Sequence, residues 1–271
     1  MIIGKKFFIS EMPKTGTTFL RNYFLQYKNI ELTIHHETLN QNKRYNLLNL
    51  KNRIGIIRNP YDWYLSLWKW SCREKKGSLI YSDLVSIRLK LKRLILNERL
   101  FSYIFNQIVK NRNQLKVLFI DVNSKKNFNK FLDIMLNFKN RYKIGSEYSF
   151  VPFENLGYMT YIFFSQNMLR KNYNIMYNSN YKLHEILKYN DSNLYTNIFF
   201  KTEKLNYSLK KFLLKNKIKL KNFNKLNNNS TPKILNKNIK SFFNNKNLLL
   251  IEKKENYIFK KFNYKKLSIT Q

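Results

Sequence analysis

The sequence predicts an α/β protein, a central parallel sheet of about four or five strands flanked by helices. Three observations carry this. Short apolar runs rich in Ile and Phe recur at residues 6–10, 29–34, 53–58, 116–121 and 197–203. Between several of them, apolar residues fall at helical spacing. The two sharpest strand-to-helix junctions carry Gly16 and Pro60, residues that end a ladder or turn the chain.

In chain order, residues 6–10 read as a short buried strand, and 17–27 as a helix with Phe19, Leu20, Tyr23 and Phe24 near one face. "NIELTI" (29–34) is a second strand, running into His35-His36. "RIGIIR" (53–58) is a third, stopped by Asn59-Pro60, and Pro60 suits the start of the helix "DWYLSLWKWSC". Most of that helix's Trp63, Trp68 and Trp70 stripe reads as core, with Trp68 or Trp70 as candidate acceptor borders.

Residues 82–114 look helical, with Leu84, Ile87, Leu91, Leu94 and Ile95 as a stripe. "KVLFID" and "NIFFKTE" are further strands, the latter followed by a helix over 207–214. Residues 215–247 are rich in Asn and Lys, "KLNNNSTPK" is the clearest loop, and a last helix covers 247–262. Without an internal repeat or a linker, residues 1–271 read as one domain.

Composition narrows the class. At 271 residues with 44% hydrophobic and 16% aromatic content, the chain can bury a core and is not of the disordered type. No run approaches the length of a membrane-spanning helix. Lys5 and Lys6 leave no room for a signal peptide's apolar stretch, and the single cysteine, Cys72, excludes an internal disulfide framework. The expectation is a cytoplasmic protein with no transmembrane segment. The formal charge of +35 favours an anionic partner. Lys, Asn, Ile, Phe and Tyr dominate throughout while Gly (6) and Pro (4) are scarce, as in an AT-rich coding bias. Much of the lysine excess is then background, and a basic nucleic-acid-binding protein stands only as the alternative reading.

The loop between the first strand and helix is more informative. A loop leaving a parallel strand for a helix turns backbone N–H groups outward, and the helix dipole adds to their pull on an anion. In "PKTGTTFL", Gly16 allows close backbone approach, Thr17 and Thr18 add hydroxyls, and Lys14 supplies a mobile cation. The pattern is not the Walker A loop, because the lysine precedes the glycine, whereas that loop ends in Gly-Lys-Ser/Thr. A nucleotide-dependent kinase is therefore a weaker alternative.

"PKTGTTFL" resembles the 5′-phosphosulfate loop of sulfotransferases that use 3′-phosphoadenosine 5′-phosphosulfate (PAPS). "RNPYDWYLSLW" resembles that family's 3′-phosphate element, an Arg at a strand end and a Ser eight positions on, here Arg58 and Ser66 (66 − 58 = 8). The order of both motifs and their strand-to-helix junctions agree with the resemblance. "FFKTEKLNYSLKKFL" and the stretch from "NNNSTPK" to the final helix are similar to the family's late elements more loosely, with Ser230 and Lys233 as candidates for the cofactor's 3′ side.

The resemblance implies a fold related to the P-loop nucleotide kinases and sulfuryl transfer from PAPS to a hydroxyl, leaving 3′,5′-adenosine bisphosphate. It implies cofactor binding by Lys14, Thr15, Gly16, Thr17, Thr18, Phe19, Arg58 and Ser66, with Lys14 stabilising the bridging oxygen and Phe19 packing on adenine. It favours a glycan, or else a small hydroxyl compound, as the acceptor.

A base must remove the acceptor's proton, and histidine titrates nearest neutrality. Of His35, His36 and His184, the first two follow a predicted strand. His36 precedes Arg58 by 22 positions (58 − 36), about the family's separation of base and 3′-phosphate arginine, yet lies only 22 after Lys14 (36 − 14), far closer than in the family. His36 is the first candidate, with Glu37 and His35 as rivals. Adjacent His35 and His36 point to opposite faces of an extended chain and the one cysteine is remote, so no metal site is expected.

Overall fold

The computed structural model describes residues 1–34, 36–39, 45–75, 77–87, 98–221 and 239–268. Its strands are β1 (Ile2–Gly4), β2 (Phe7–Ile9), β3 (Glu31–Leu32), β4 (Asn52–Ile57) and β5 (Ile198–Lys201). The principal helices begin with α1 (Thr17–Phe24), α2 (Pro60–Arg73), α3 (Leu79–Val85), α4 (Glu98–Val109) and α5 (Arg112–Val117). They continue with α6 (Lys125–Leu136), α7 (Tyr158–Asn167), α8 (Leu205–Lys215), α9 (Asn245–Lys254) and α10 (Asn256–Lys261). The chain gathers into two compact units. One is Met1–Asn59 with Ile162–Ile175 and His184–Asn236; the other is Pro60–Tyr161 with Met176–Leu183 and Lys237–Gln271.

The first unit carries the sheet, in the order β3-β1-β2-β4-β5. β2, β4 and β5 run parallel, with Phe8 opposite Arg53 and Ile56 opposite Phe200. β1 is antiparallel to both β2 and β3, so the sheet is mixed rather than wholly parallel. The reason is local. Only Lys5 and Lys6 separate β1 from β2, and a two-residue connection can join antiparallel strands alone. The strand expected over 29–34 shrinks to Glu31–Leu32 on the sheet edge.

β2 is buried on both faces, as the middle of a covered sheet must be. Phe7 and Ile9 join a cluster with Leu20, Tyr23 and Phe24 of α1 and Leu205, Leu209, Phe212 and Leu213 of α8. Phe8 packs oppositely with Met1, Leu39, Leu47 and Tyr195. Burial of each such side chain contributes about 1.5–3 kcal/mol, which anchors the strand whose end carries the site.

The second unit is helical in its described residues. α2 starts at Pro60 and buries Tyr61, Trp63, Tyr64 and Trp68; Trp68 donates Nε1–H to the Leu118 carbonyl at 2.9 Å. Trp63 and Trp68 are therefore core residues, and only Trp70 of the three is half-buried. The strand expected over 116–121 is instead the end of α5 and a turn. Leu115, Leu118 and Phe119 are buried at i, i+3, i+4, so the apolar residues pack through the end of α5 and the turn that follows it.

The long helix expected over 82–114 is likewise divided into α3, α4 and α5. Extended Ser86 ends α3, and Asn111 caps α5 by accepting the Gln114 N–H; residues 88–97 with Leu91, Leu94 and Ile95 lie outside the described residues. The final helix breaks into α9 and α10 at Glu255. That carboxylate caps α7 instead, accepting from Met159 N (3.0 Å), Thr160 N (2.9 Å), Thr160 Oγ1 (2.6 Å) and Tyr64 Oη (2.5 Å). Gly157 makes this possible, since a Cβ there would lie 2.0 Å from Glu255 Oε1. Burial raises the Glu255 carboxyl above the usual range despite its four donors. Among the described residues no helix is long and apolar enough to cross a membrane.

Candidate functional site

The loop of residues 10–16 joins β2 to α1 within the first unit. Ser10 N–H extends the ladder to the Ile54 carbonyl (2.7 Å), and Thr15 Oγ1 donates back to the Met12 carbonyl (2.7 Å), closing a tight turn. Lys14 (φ 63°) and Gly16 (φ 90°) both occupy the left-handed region. For lysine this costs about 1–2 kcal/mol, a strain that surrounding structure must hold in place. At Gly16 a Cβ would also meet Leu205 Cδ2 at 2.7 Å.

Gly16 is the N-cap of α1 and supplies no side-chain cap; the first helical bond runs from Leu20 N to Gly16 O at 3.2 Å. The N–H groups of Thr17, Thr18 and Phe19 precede that bond, at the positive end of the helix. Thr18 is exposed, Thr17 is buried, and half-buried Phe19 stacks near Tyr23, ring centroids 6.4 Å apart. The Thr15 side chain points into the protein, so among the expected cofactor contacts it offers its backbone.

The second motif meets this loop. Arg58, just past β4, donates Nη1–H to the Lys14 carbonyl at 3.2 Å. Thr202, just past β5, holds its hydroxyl 2.9 Å from the Thr15 carbonyl and 3.0 Å from the Ile57 carbonyl. Glu203 accepts the Asn59 N–H at 2.7 Å. The carboxyl ends of all three parallel strands thus converge on the loop, the place where open α/β sheets bind ligands. Ser66 belongs to the second unit, on α2, and is 9% exposed.

His36 is also left-handed (φ 59°), with Nδ1 2.9 Å from the Glu11 carbonyl. A carbonyl only accepts, so the neutral ring carries its proton on Nδ1 and its basic lone pair on Nε2. Glu37 is half-buried and donates its backbone N–H to Ile34 O at 3.1 Å. His184 is exposed on the helix Leu183–Ser192. His35, Ser230 and Lys233 lie outside the described residues.

No protein-family model, curated protein or solved structure matches the chain.

Two positioning residues carry no mark in the sequence. Glu11, fully buried at the base of the loop, receives Nε (2.6 Å) and Nη2 of Arg21 and lies 3.0 Å from the Met1 ammonium. Burial works to raise its carboxyl, but Arg21 and the ammonium outweigh it and hold the group below the usual glutamate range. Thr202 is the other; its position after a strand gives it no signal of its own. Together the loop offers two cations, a run of N–H groups and an exposed hydroxyl, which suits a phosphate-bearing ligand. The His36 imidazole, bonded through Nδ1 to the loop's Glu11 carbonyl, is of a type suited to proton removal.

Proposed function

We propose that the chain is a sulfotransferase that moves the sulfuryl group of PAPS onto an acceptor hydroxyl by in-line displacement, with a carbohydrate as the favoured acceptor class. The observation that carries this reading is the meeting of the two motifs, Arg58 Nη1 on the backbone carbonyl of Lys14. We further read the trio β2, β4 and β5 with its loop as P-loop nucleotide-kinase-like, and the activity as cytoplasmic.

The residues fit such a donor. Gly16 leaves the backbone bare, α1 has no side-chain cap to displace, and Arg58 reaches the Lys14 carbonyl beyond the carboxyl ends of β2 and β4. Two of the four non-glycine residues with positive φ among the described residues are Lys14 and His36, the two candidate catalysts. Strain of this kind gathers where function demands a fixed geometry. When bound, PAPS supplies an activated sulfuryl group and a phosphate leaving group.

The chain's own residues do the rest. The α1 N–H groups and Thr18 hold the 5′-phosphate, Lys14 neutralises charge on the bridging oxygen, Arg58 grips the 3′-phosphate and Phe19 offers a ring to adenine. His36 takes the acceptor's proton at Nε2, with Glu37 as its rival.

The test is transfer of labelled sulfate from PAPS to a panel of glycans and phenols. Label on a glycan, lost in Lys14→Ala, is expected. Label on phenols alone would displace the carbohydrate acceptor. A folded chain that neither binds PAPS nor transfers label would remove the activity altogether.

A further inference from the structure

The outer face of α4 reverses the usual distribution of side chains. Gln107 and Lys110 are buried, with Lys110 Nζ donating to Gln107 Oε1 (2.7 Å), Asp83 O (3.1 Å) and Lys143 O (3.3 Å). On the opposite side Phe101, Phe105 and Ile108 are 71%, 63% and 61% exposed, and Val109 is 55% exposed. The spacing i, i+4, i+7 sets the first three in one stripe. Apolar exposure continues past α4 at Val117 and Ile120. Val109 and Val117 line one surface cavity of about 610 Å³, whose lining also includes Lys130 and Lys143. Exposed Arg112 and Lys116 lie on α5 itself.

An exposed apolar helix stripe, with more cations (Arg112, Lys116, Lys130, Lys143) than carboxylates (Asp133) on the neighbouring segments named here, marks an interaction surface. Charge decides the partner. A second copy would set +35 against +35, whereas an anionic surface is attracted. Phe101, Phe105 and Ile108 stand outside that cavity's lining and project from α4, the form that enters a headgroup layer, while Arg and Lys stems reach the lipid phosphates. We propose that this face docks on an anionic lipid bilayer. α4 lies in the interface, with Phe101, Phe105 and Ile108 at the acyl boundary and Arg112, Lys116 and Lys130 against the headgroups. No residue of the loop 10–16 takes part, so the inference stands apart from sulfuryl transfer.

Co-sedimentation of the full chain with phosphatidylcholine vesicles, with and without phosphatidylserine, tests it. Binding should require phosphatidylserine and weaken as salt rises. Phe101→Ser/Phe105→Ser should weaken it about tenfold or more with unchanged thermal melting, because both side chains face outward in the free protein. Lys116→Glu/Lys130→Glu should remove the phosphatidylserine dependence. Equal vesicle binding by the double Phe variant would overturn the proposal. So would a self-association that this variant abolishes, which would assign the face to a second copy. A lowered melting temperature in the double Phe variant would show that the face packs within the chain, and would overturn it as well.

Discussion

Thr202→Val tests whether the two motifs are coupled. The Thr202 hydroxyl stands 2.9 Å from the Thr15 carbonyl and 3.0 Å from the Ile57 carbonyl. A single proton serves both, so its loss counts once. Valine keeps the volume but leaves the two carbonyls facing a methyl group. A net hydrogen bond contributes about 0.5–1.5 kcal/mol, and a desolvated carbonyl left behind brings the cost to about 1–3 kcal/mol. That loss should lower the denaturation midpoint without changing the slope. The same bridge fixes Lys14 relative to Arg58, so about 1 kcal/mol of lost preorganisation should weaken 3′,5′-adenosine bisphosphate binding roughly fivefold. Titration calorimetry measures this, and Thr202→Ser should restore both properties. A Thr202→Val protein that binds as tightly as wild type, or a Ser variant no better than Val, would refute the coupling.

Three further outcomes follow from the same geometry. Gly157→Ala should cost about 3 kcal/mol or more in a denaturant titration, because its Cβ would take the space of the Glu255 carboxylate that caps α7. Glu11→Gln should cost about 3 kcal/mol at neutral pH, and the gap should close on acidification. Glu11 is held below its unfolded value, so its contribution is complete above about pH 4.3 and fades as pH falls through the folded value; parallel unfolding curves from neutral to acid pH check this. His36→Ala should lower kcat by about 10²–10⁴ and abolish the acidic limb of the pH–rate profile. A near-normal rate in His36→Ala with turnover lost in Glu37→Gln would move the base to Glu37.

Where an element rests on a local signal, the sequence shows it. β4 and the start of α2 follow from a β-branched run ended by Asn59-Pro60, and the loop before α1 from a lysine-glycine-threonine cluster between apolar segments. β1 is hidden because Ile2 and Ile3 are too short a run, and the Lys5-Lys6 turn that reverses the chain carries neither Asn nor Gly. The run 116–121 misleads because four apolar residues fit a strand as well as a helix face, and only packing selects Leu115, Leu118 and Phe119. At the candidate site, Lys14, Arg58 and His36 stand out in the sequence, but the left-handed backbone of Lys14 and His36 and the contact of Arg58 with the Lys14 carbonyl do not. Positive φ at a lysine or histidine has no sequence mark, since only the tertiary contacts make it tolerable. Glu11 reads as an ordinary loop acid until folding sets it against Arg21.

The proposed site for a 3′-phosphorylated adenine nucleotide is loop 10–16 with Arg58. Calorimetric titration of the full chain with 3′,5′-adenosine bisphosphate tests it most directly, with ATP plus magnesium as the comparison ligand. Saturable binding of the bisphosphate, no comparable binding of ATP, and a loss of about 1.5–3 kcal/mol in Arg58→Ala from one charge-assisted phosphate contact are expected. Equal affinity for both nucleotides, unchanged affinity in Arg58→Ala, or binding to nucleic acid with no response to either nucleotide would contradict it.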